Sequence, residues 1–128
     1  MASELRVNTL KDAAGNNSIA TSFVANGSAK VWVTFDGEAS GATIRDSFNV
    51  ASTDDDGTGL YGVNFTSAMS SANYSSVCNR AGFAYVTSGG ANANEPTAGA
   101  ITKLQTYNDD GNLADRTNIT AHVQGDLA

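Results

Sequence analysis

His122 is the single histidine of the chain, and any Ser-His-Asp arrangement would have to use it as the base. No G-x-S-x-G turn is present to expose a nucleophilic serine. His122 also lies on the outward side of an alternating run, so an exposed, non-catalytic histidine is the plainer reading. A carboxylate pair for glycoside hydrolysis can come together from distant parts of a chain. The acids here lie nearly all in turns, where carboxylates cap backbone N–H groups and stay solvated. The run Asp54-Asp55-Asp56-Gly57-Thr58-Gly59 invites a calcium test. With Asp54 as first ligand, Asp56, Thr58 and Gly59 fall acceptably, but the twelfth position, an acid in an EF-hand, is Phe65. Asp54, Asp55 and Asp56 stay metal candidates only for a looser site, and a hairpin loop explains them as well. Asn108-Asp109-Asp110-Gly111 reads the same way. Cys78 is the sole cysteine, which rules out an intrachain disulfide and a cysteine-based metal cluster; a small buried hydrophobe is its expected role. No catalytic set, no cofactor and no enzyme activity are expected.

Binding residues are easier to nominate. Trp32, the one tryptophan, sits on the Lys30 and Thr34 side of its run, opposite the apolar set. A large aromatic there either stacks on a sugar ring, fills a subunit interface, or lies under the N-terminal arm, and the last two fit general interface composition better. Phe83 and Tyr85 read as core or interface. The stretch Ser88 to Gly99 (SGGANANEPTAG) is the longest without periodicity and lacks apolar anchors. Together with the presumed turn at Asn79-Arg80 it would form an exposed tip, with Asn92 and Asn94 as its binding side chains.

These residues must be positioned by strands. In AKVWVTF (29–35), Ala29, Val31, Val33 and Phe35 share a face while Lys30, Trp32 and Thr34 share the other, the period of a half-buried strand. In TIRDSFNV (43–50), Ile44, Phe48 and Val50 are expected inward and Thr43, Arg45, Ser47 and Asn49 toward solvent. In LYGVNF (60–65), Tyr61, Val63 and Phe65 line one side. Asp36-Gly37, Ser40-Gly41 and the Asp54–Gly59 run separate these strands with turn residues. Further strands are expected near Asn73 to Cys78, Phe83 to Thr87 and Thr97 to Tyr107 (with Ile101 and Leu104 its larger apolar residues). Asn118 to Gln124 completes the set, with Ile119, Ala121 and Val123 in and Thr120, His122 and Gln124 out. Residues 1–28 read as an arm: a short strand around Leu5 and Val7, a turn at Asp12 to Asn17, and a strand from Ile19 to Val24. A helix over Leu10 to Ala14 would be too brief to stand alone. The arm either pairs in cis as a first strand or wraps a partner subunit.

At 128 residues the chain reads as one domain, able to bury about two-thirds of its unfolded surface. Hydrophobic residues make up 41% and charged residues only 16%; Ser, Thr, Asn and Gly take the space that charges usually fill. That mixture suits many short strands and hydrogen-bonded turns. An all-β fold is expected, an antiparallel β-sandwich over residues 29–128 following the arm. The net charge of −6, with Lys and Arg scattered singly, excludes a nucleic-acid partner and an anionic membrane surface. MASELRVNTL has no apolar core of a signal peptide, and no run is long enough to span a bilayer. Synthesis in a cytoplasm is expected, with assembly into a larger object as the way out. Asn-x-Ser/Thr sequons at Asn16, Asn26, Asn64, Asn73 and Asn118 then follow from composition alone.

Several stretches carry a resemblance: NGSAKVWVTFDG (26–37), IRDSFNVAS (44–52), DDGTGLYGVNFTSAM (55–69) and ANYSSV (72–77), with SELRVNTLKDAAGNNSI (3–19) and TYNDDGNLADRTNITAHVQG (106–125) outside them. They resemble a module of tail fibres and other virion appendages of tailed bacteriophages, notably those infecting cyanobacteria, and leave mainly 78–105 unmatched. The resemblance implies a jelly-roll or H-type-lectin-like sandwich and a virion structural subunit, homotrimeric, touching other virion proteins and host-surface glycans. A capsid decoration, cement or head-fibre protein is the alternative within that class, and a small glycan-cleaving tail enzyme the remaining one. No heptad pattern is present, so a coiled coil is not the means of trimerisation.

Overall fold

The computed structural model describes residues 6–15, 17–80, 86–88 and 96–128. The chain runs β1 (Thr9–Lys11), β2 (Ser18–Ala20), α1 (Thr21–Gly27), β3 (Ala29–Asp36), β4 (Thr43–Phe48), β5 (Val50–Gly57), β6 (Leu60–Phe65), β7 (Ser75–Arg80), β8 (Val86–Ser88), β9 (Ala100–Thr106) and β10 (Ile119–Gln124). It is mostly strand, and the sheets are antiparallel. One four-stranded sheet has the order β4-β3-β10-β7, a second the order β5-β6-β9-β8, and β1 and β2 form a separate ribbon.

Alternation decides which side chains meet between the sheets. Val31, Val33 and Phe35 of β3, Tyr61, Val63 and Phe65 of β6, Ile101 and Leu104 of β9, and Ile119, Ala121 and Val123 of β10 are buried in one core. The inward sets expected for β6 and β10 are all there, and of the β3 set Val31, Val33 and Phe35 are buried while Ala29, beside an irregularity at Lys30, is only half-buried. The Phe35 ring meets Tyr61 edge-on at 5.3 Å, and Phe65 meets Tyr74 likewise at 5.7 Å, so the two sheets share interdigitated aromatics. Ile101 and Leu104 are three residues apart, a spacing that a regular strand would put on opposite faces. A bulge resolves it: Val63 pairs with Ile101 and Tyr61 with Leu104, leaving Thr102 and Lys103 opposite Gly62.

A second bulge overturns one expectation. Thr34 pairs with Asp46 and Phe35 with Ile44, so Arg45 is an extra residue in β4. Ile44 packs on the core as expected, but Phe48 lies opposite Trp32 and is 55% exposed. A period of two cannot reveal a bulge, and a one-residue slip moves every later side chain to the other face.

Asn49, in the left-handed conformation at φ 58°, carries the chain from β4 to β5. The acidic run is not the expected loop. Asp54–Asp56 extend β5, Asp54 and Asp55 pairing with Gly62 and Tyr61 of β6 and Asp56 left over at a register shift, and the turn shrinks to Thr58-Gly59. At the edge of a sheet these carboxylates remain solvated, so the strand costs them little. Gly59, at φ 65°, permits that turn: a Cβ would lie 2.5 Å from the Thr106 carbonyl oxygen. Asn79 and Arg80, expected in a turn, are the last residues of β7.

The segment 6–28 also differs from expectation. The strand from Ile19 ends at Ala20 and Thr21–Gly27 is helical, whereas Asp12 to Gly15 form the turn that was expected. None of the described residues in this segment is buried. It is tied to the body by Lys30 Nζ, which donates to the Ala25 carbonyl and the Ser28 hydroxyl, and by Gln124 Nε2, which donates to the Gly27 carbonyl at 3.2 Å.

Candidate functional site

Strand register places four side chains in one row across the outer face of the β4-β3-β10-β7 sheet. Phe48 lies opposite Trp32, Trp32 opposite His122, and His122 opposite Val77. Neighbouring strands are about 4.8 Å apart, so the row spans the sheet from edge to edge. Phe48 is 55% and Val77 67% exposed; Trp32 is half-buried and His122 exposed. Two residues along, Asp46, Thr34, Thr120 and Asn79 make a parallel polar row. Two residues the other way, Lys30 and Gln124 reach the carbonyls at the end of α1.

One end of this face is held by Arg45, the bulge residue. Its guanidinium donates to Asp36 Oδ2 at 2.6 Å and to Asn118 Oδ1. The Arg45 hydrogen bond holds the Asp36 carboxyl below its ordinary value. The Asn79 side-chain oxygen accepts the Arg80 backbone N–H at 2.8 Å.

Of the residues nominated from sequence, Trp32 and Asn79 share this face. Arg80 does not: it follows Asn79 on the inward side of β7, with its side chain 10% exposed and 3.9 Å from Asp109. Asn92 and Asn94 lie outside the described residues, as do Phe83 and Tyr85. Asp54, Asp55 and Asp56 lie on the other sheet. Asp54 Oδ2 accepts from Asn64 Nδ2 at 2.7 Å and Asp55 Oδ1 accepts the Gly57 N–H at 3.2 Å. Among the described residues no three His, Cys, Asp or Glu side chains gather as a ligand set. The residues directly across from His122 are Trp32 and Val77, neither an acid nor a nucleophile.

Cys78 points inward from β7 and packs against the core. Burial pushes its thiol up to about 11, so it stays protonated and unreactive at neutral pH. Tyr61 is fully buried, and its hydroxyl lies 3.1 Å from both the Gly37 carbonyl and Asp115 Oδ1. Burial first, then the Asp115 carboxylate, raises its pKa well above the ordinary range. Asp115 Oδ1 also accepts the Gly59 N–H at 2.6 Å, so this buried polar set closes a turn and is structural.

Phe48, Val77 and His122 were not nominated for binding by sequence. Val77 and Asn79 alternate on one strand, and Trp32 stood out by type, but which strands would be neighbours is set by long-range pairing that no local pattern encodes. Compared with known protein families, curated proteins and solved structures, the chain matches none of them.

Proposed function

We propose that the chain is a non-enzymatic structural subunit of a tailed-phage virion. In this reading it is part of a tail fibre, spike or short appendage, a β-sandwich preceded by an N-terminal arm and assembled as a homotrimer. The observation that carries this reading is the state of residues 6–28. Val7, Leu10, Ile19, Phe23 and Val24 are between 38% and 72% exposed, and no described residue of the segment is buried. Isolated apolar side chains at a surface are ordinary, but a whole segment of secondary structure without a core has little to hold it. A neighbouring subunit supplies the missing cover. The resemblance of 26–37, 44–52, 55–69 and 72–77, with 3–19 and 106–125, to virion appendage modules supports the same class. Several linked copies would let weak contacts with host-surface glycans add up.

The second reading within this class is capsid decoration, in which the segment grips neighbouring capsomers. Antibody against the chain, applied to intact particles and viewed by negative-stain electron microscopy, separates the two. Label at the tail or its fibres is expected. Label over the head moves the chain to the decoration reading, and particles without label contradict a virion role.

A further inference from the structure

We propose that the Asn26-Gly27 bond is a self-modification site, at which deamidation of Asn26 loosens segment 6–28 from the body. The inference goes beyond the assembly proposed above and does not depend on it.

The chemistry is set by two adjacent residues. Of all the asparagines in the chain, Asn26 alone is followed by glycine. When a backbone nitrogen attacks the side-chain amide of the preceding Asn, a Cβ on the attacking residue obstructs the approach, and glycine has none. The Gly27 nitrogen bonds to Asn26 Cγ and closes a succinimide ring. The amide nitrogen leaves as ammonia, taking up the proton that the Gly27 N–H gives up. Water then opens the ring at either carbonyl, leaving an aspartate or an isoaspartate. Nothing is oxidised or reduced, and water is the only co-reactant.

The fold leaves this step open. Asn26 and Gly27 are both exposed. In a regular helix the backbone N–H is bonded to the preceding turn, which holds it away from the side chain it must attack. The last turn of α1 therefore has to open first. It has little to keep it closed: α1 is seven residues long, with no side-chain cap and no buried residue, and a helix that short is not stable by itself.

The product matters because of where it forms. Asn26 lines one cleft with Ser70, Asn73 and Asp126, so segment and body meet there beside an existing acid. Deamidation puts a second carboxylate into the same cleft, and like charges at short range repel. The new charge also sits in the last turn of α1, at the negative end of the helix dipole, where a carboxylate is unfavourable. The isoaspartate form in addition routes the backbone through Cβ, between the Ala25 and Gly27 carbonyls that Lys30 and Gln124 hold. Each effect acts on the ties that keep the segment against the body.

The test is ageing of the full chain at neutral pH, read by mass spectrometry of tryptic peptides with fragment ions to locate the change. Conversion at Asn26 is expected ahead of every other asparagine, faster as pH rises because the attacking nitrogen must lose its proton. Gly27→Ala should lose most of that conversion. A Cβ there meets nothing within 4 Å and alanine favours the helix, so this variant keeps the fold. Limited chymotryptic cleavage after Phe23 reads the loosening. It should be faster in the aged chain and in fresh Asn26→Asp than in the fresh parent, and unchanged in aged Gly27→Ala. An aged chain whose Asn26 is no more converted than its other asparagines overturns the site. Conversion that leaves cleavage after Phe23 at the fresh parent's rate, in the aged chain and in Asn26→Asp alike, overturns the loosening.

Discussion

At position 49 the chain leaves one sheet for the other, and a single side chain holds the crossing. Asn49 Nδ2 donates to the carbonyls of Lys30 and Ser67, both at 3.1 Å, and its Oδ1 accepts the Ser67 N–H at 2.7 Å. Its φ of 58° is a conformation that Asn tolerates and most residues do not. Asn49→Ala removes the three bonds and adds backbone strain, for a loss of roughly 3 kcal/mol and a fall in melting temperature on the order of 10 °C. Asn49→Gly should recover only the strain, roughly 1 kcal/mol of it. Thermal melts of the two variants check this; an alanine variant as stable as the parent would show that the corner is held elsewhere. At this scale the sequence was a partial guide. Trp32 stood out by its type and its face, and Tyr61 by its alternation. Asn49 looked like one more solvent-facing residue of a strand, because its partners at Lys30 and Ser67 come from distant parts of the chain.

Among the elements, β3, β6 and β10 could be read directly, since their large apolar residues recur at every second position from Val31, Tyr61 and Ile119 onward and are buried there. The elements that escaped are those where the period fails. The bulge at Arg45 turned Phe48 outward, and a bulge in β9, in the other sheet, brought both Ile101 and Leu104 inward. Helix α1 was missed for another reason. Its seven residues have no side-chain cap and no buried face, so neither a capping signal nor helical periodicity announces it. What holds it is tertiary, the contacts from Lys30 and Gln124. A segment held so lightly is expected to be dispensable for the fold of the body. Removing residues 1–28 should leave residues 29–128 cooperatively folded, with a melting temperature within about 5 °C of the parent, and should weaken self-association. Loss of the folded circular dichroism spectrum in the truncated chain would instead make the segment an integral part of the domain.

Taken as a whole, the molecule carries exposed apolar side chains on one sheet and in its N-terminal segment. Asp54, Asp55 and Asp56 lie on β5, while Phe48 and Val77 stand exposed on the other sheet, whose outer face also carries Asp36 and Asp46. Composition was enough to expect an all-β chain, because sparse charge and abundant Ser, Thr, Asn and Gly suit strands and turns, and alternating runs joined by turn residues were enough to expect antiparallel pairing. Neither was enough to tell which outward face would be apolar, which depends on strand order. Exposed apolar side chains of this kind fit a subunit that meets copies of itself. Since the net charge of −6 opposes that meeting, added salt should tighten the association by screening. The most direct test is the mass of the full chain in solution, measured by light scattering at micromolar concentration and about 0.15 M salt. The account predicts a discrete species of three times 13.1 kDa, tightened rather than dissolved by further salt; a 13.1 kDa monomer throughout the micromolar range would contradict it.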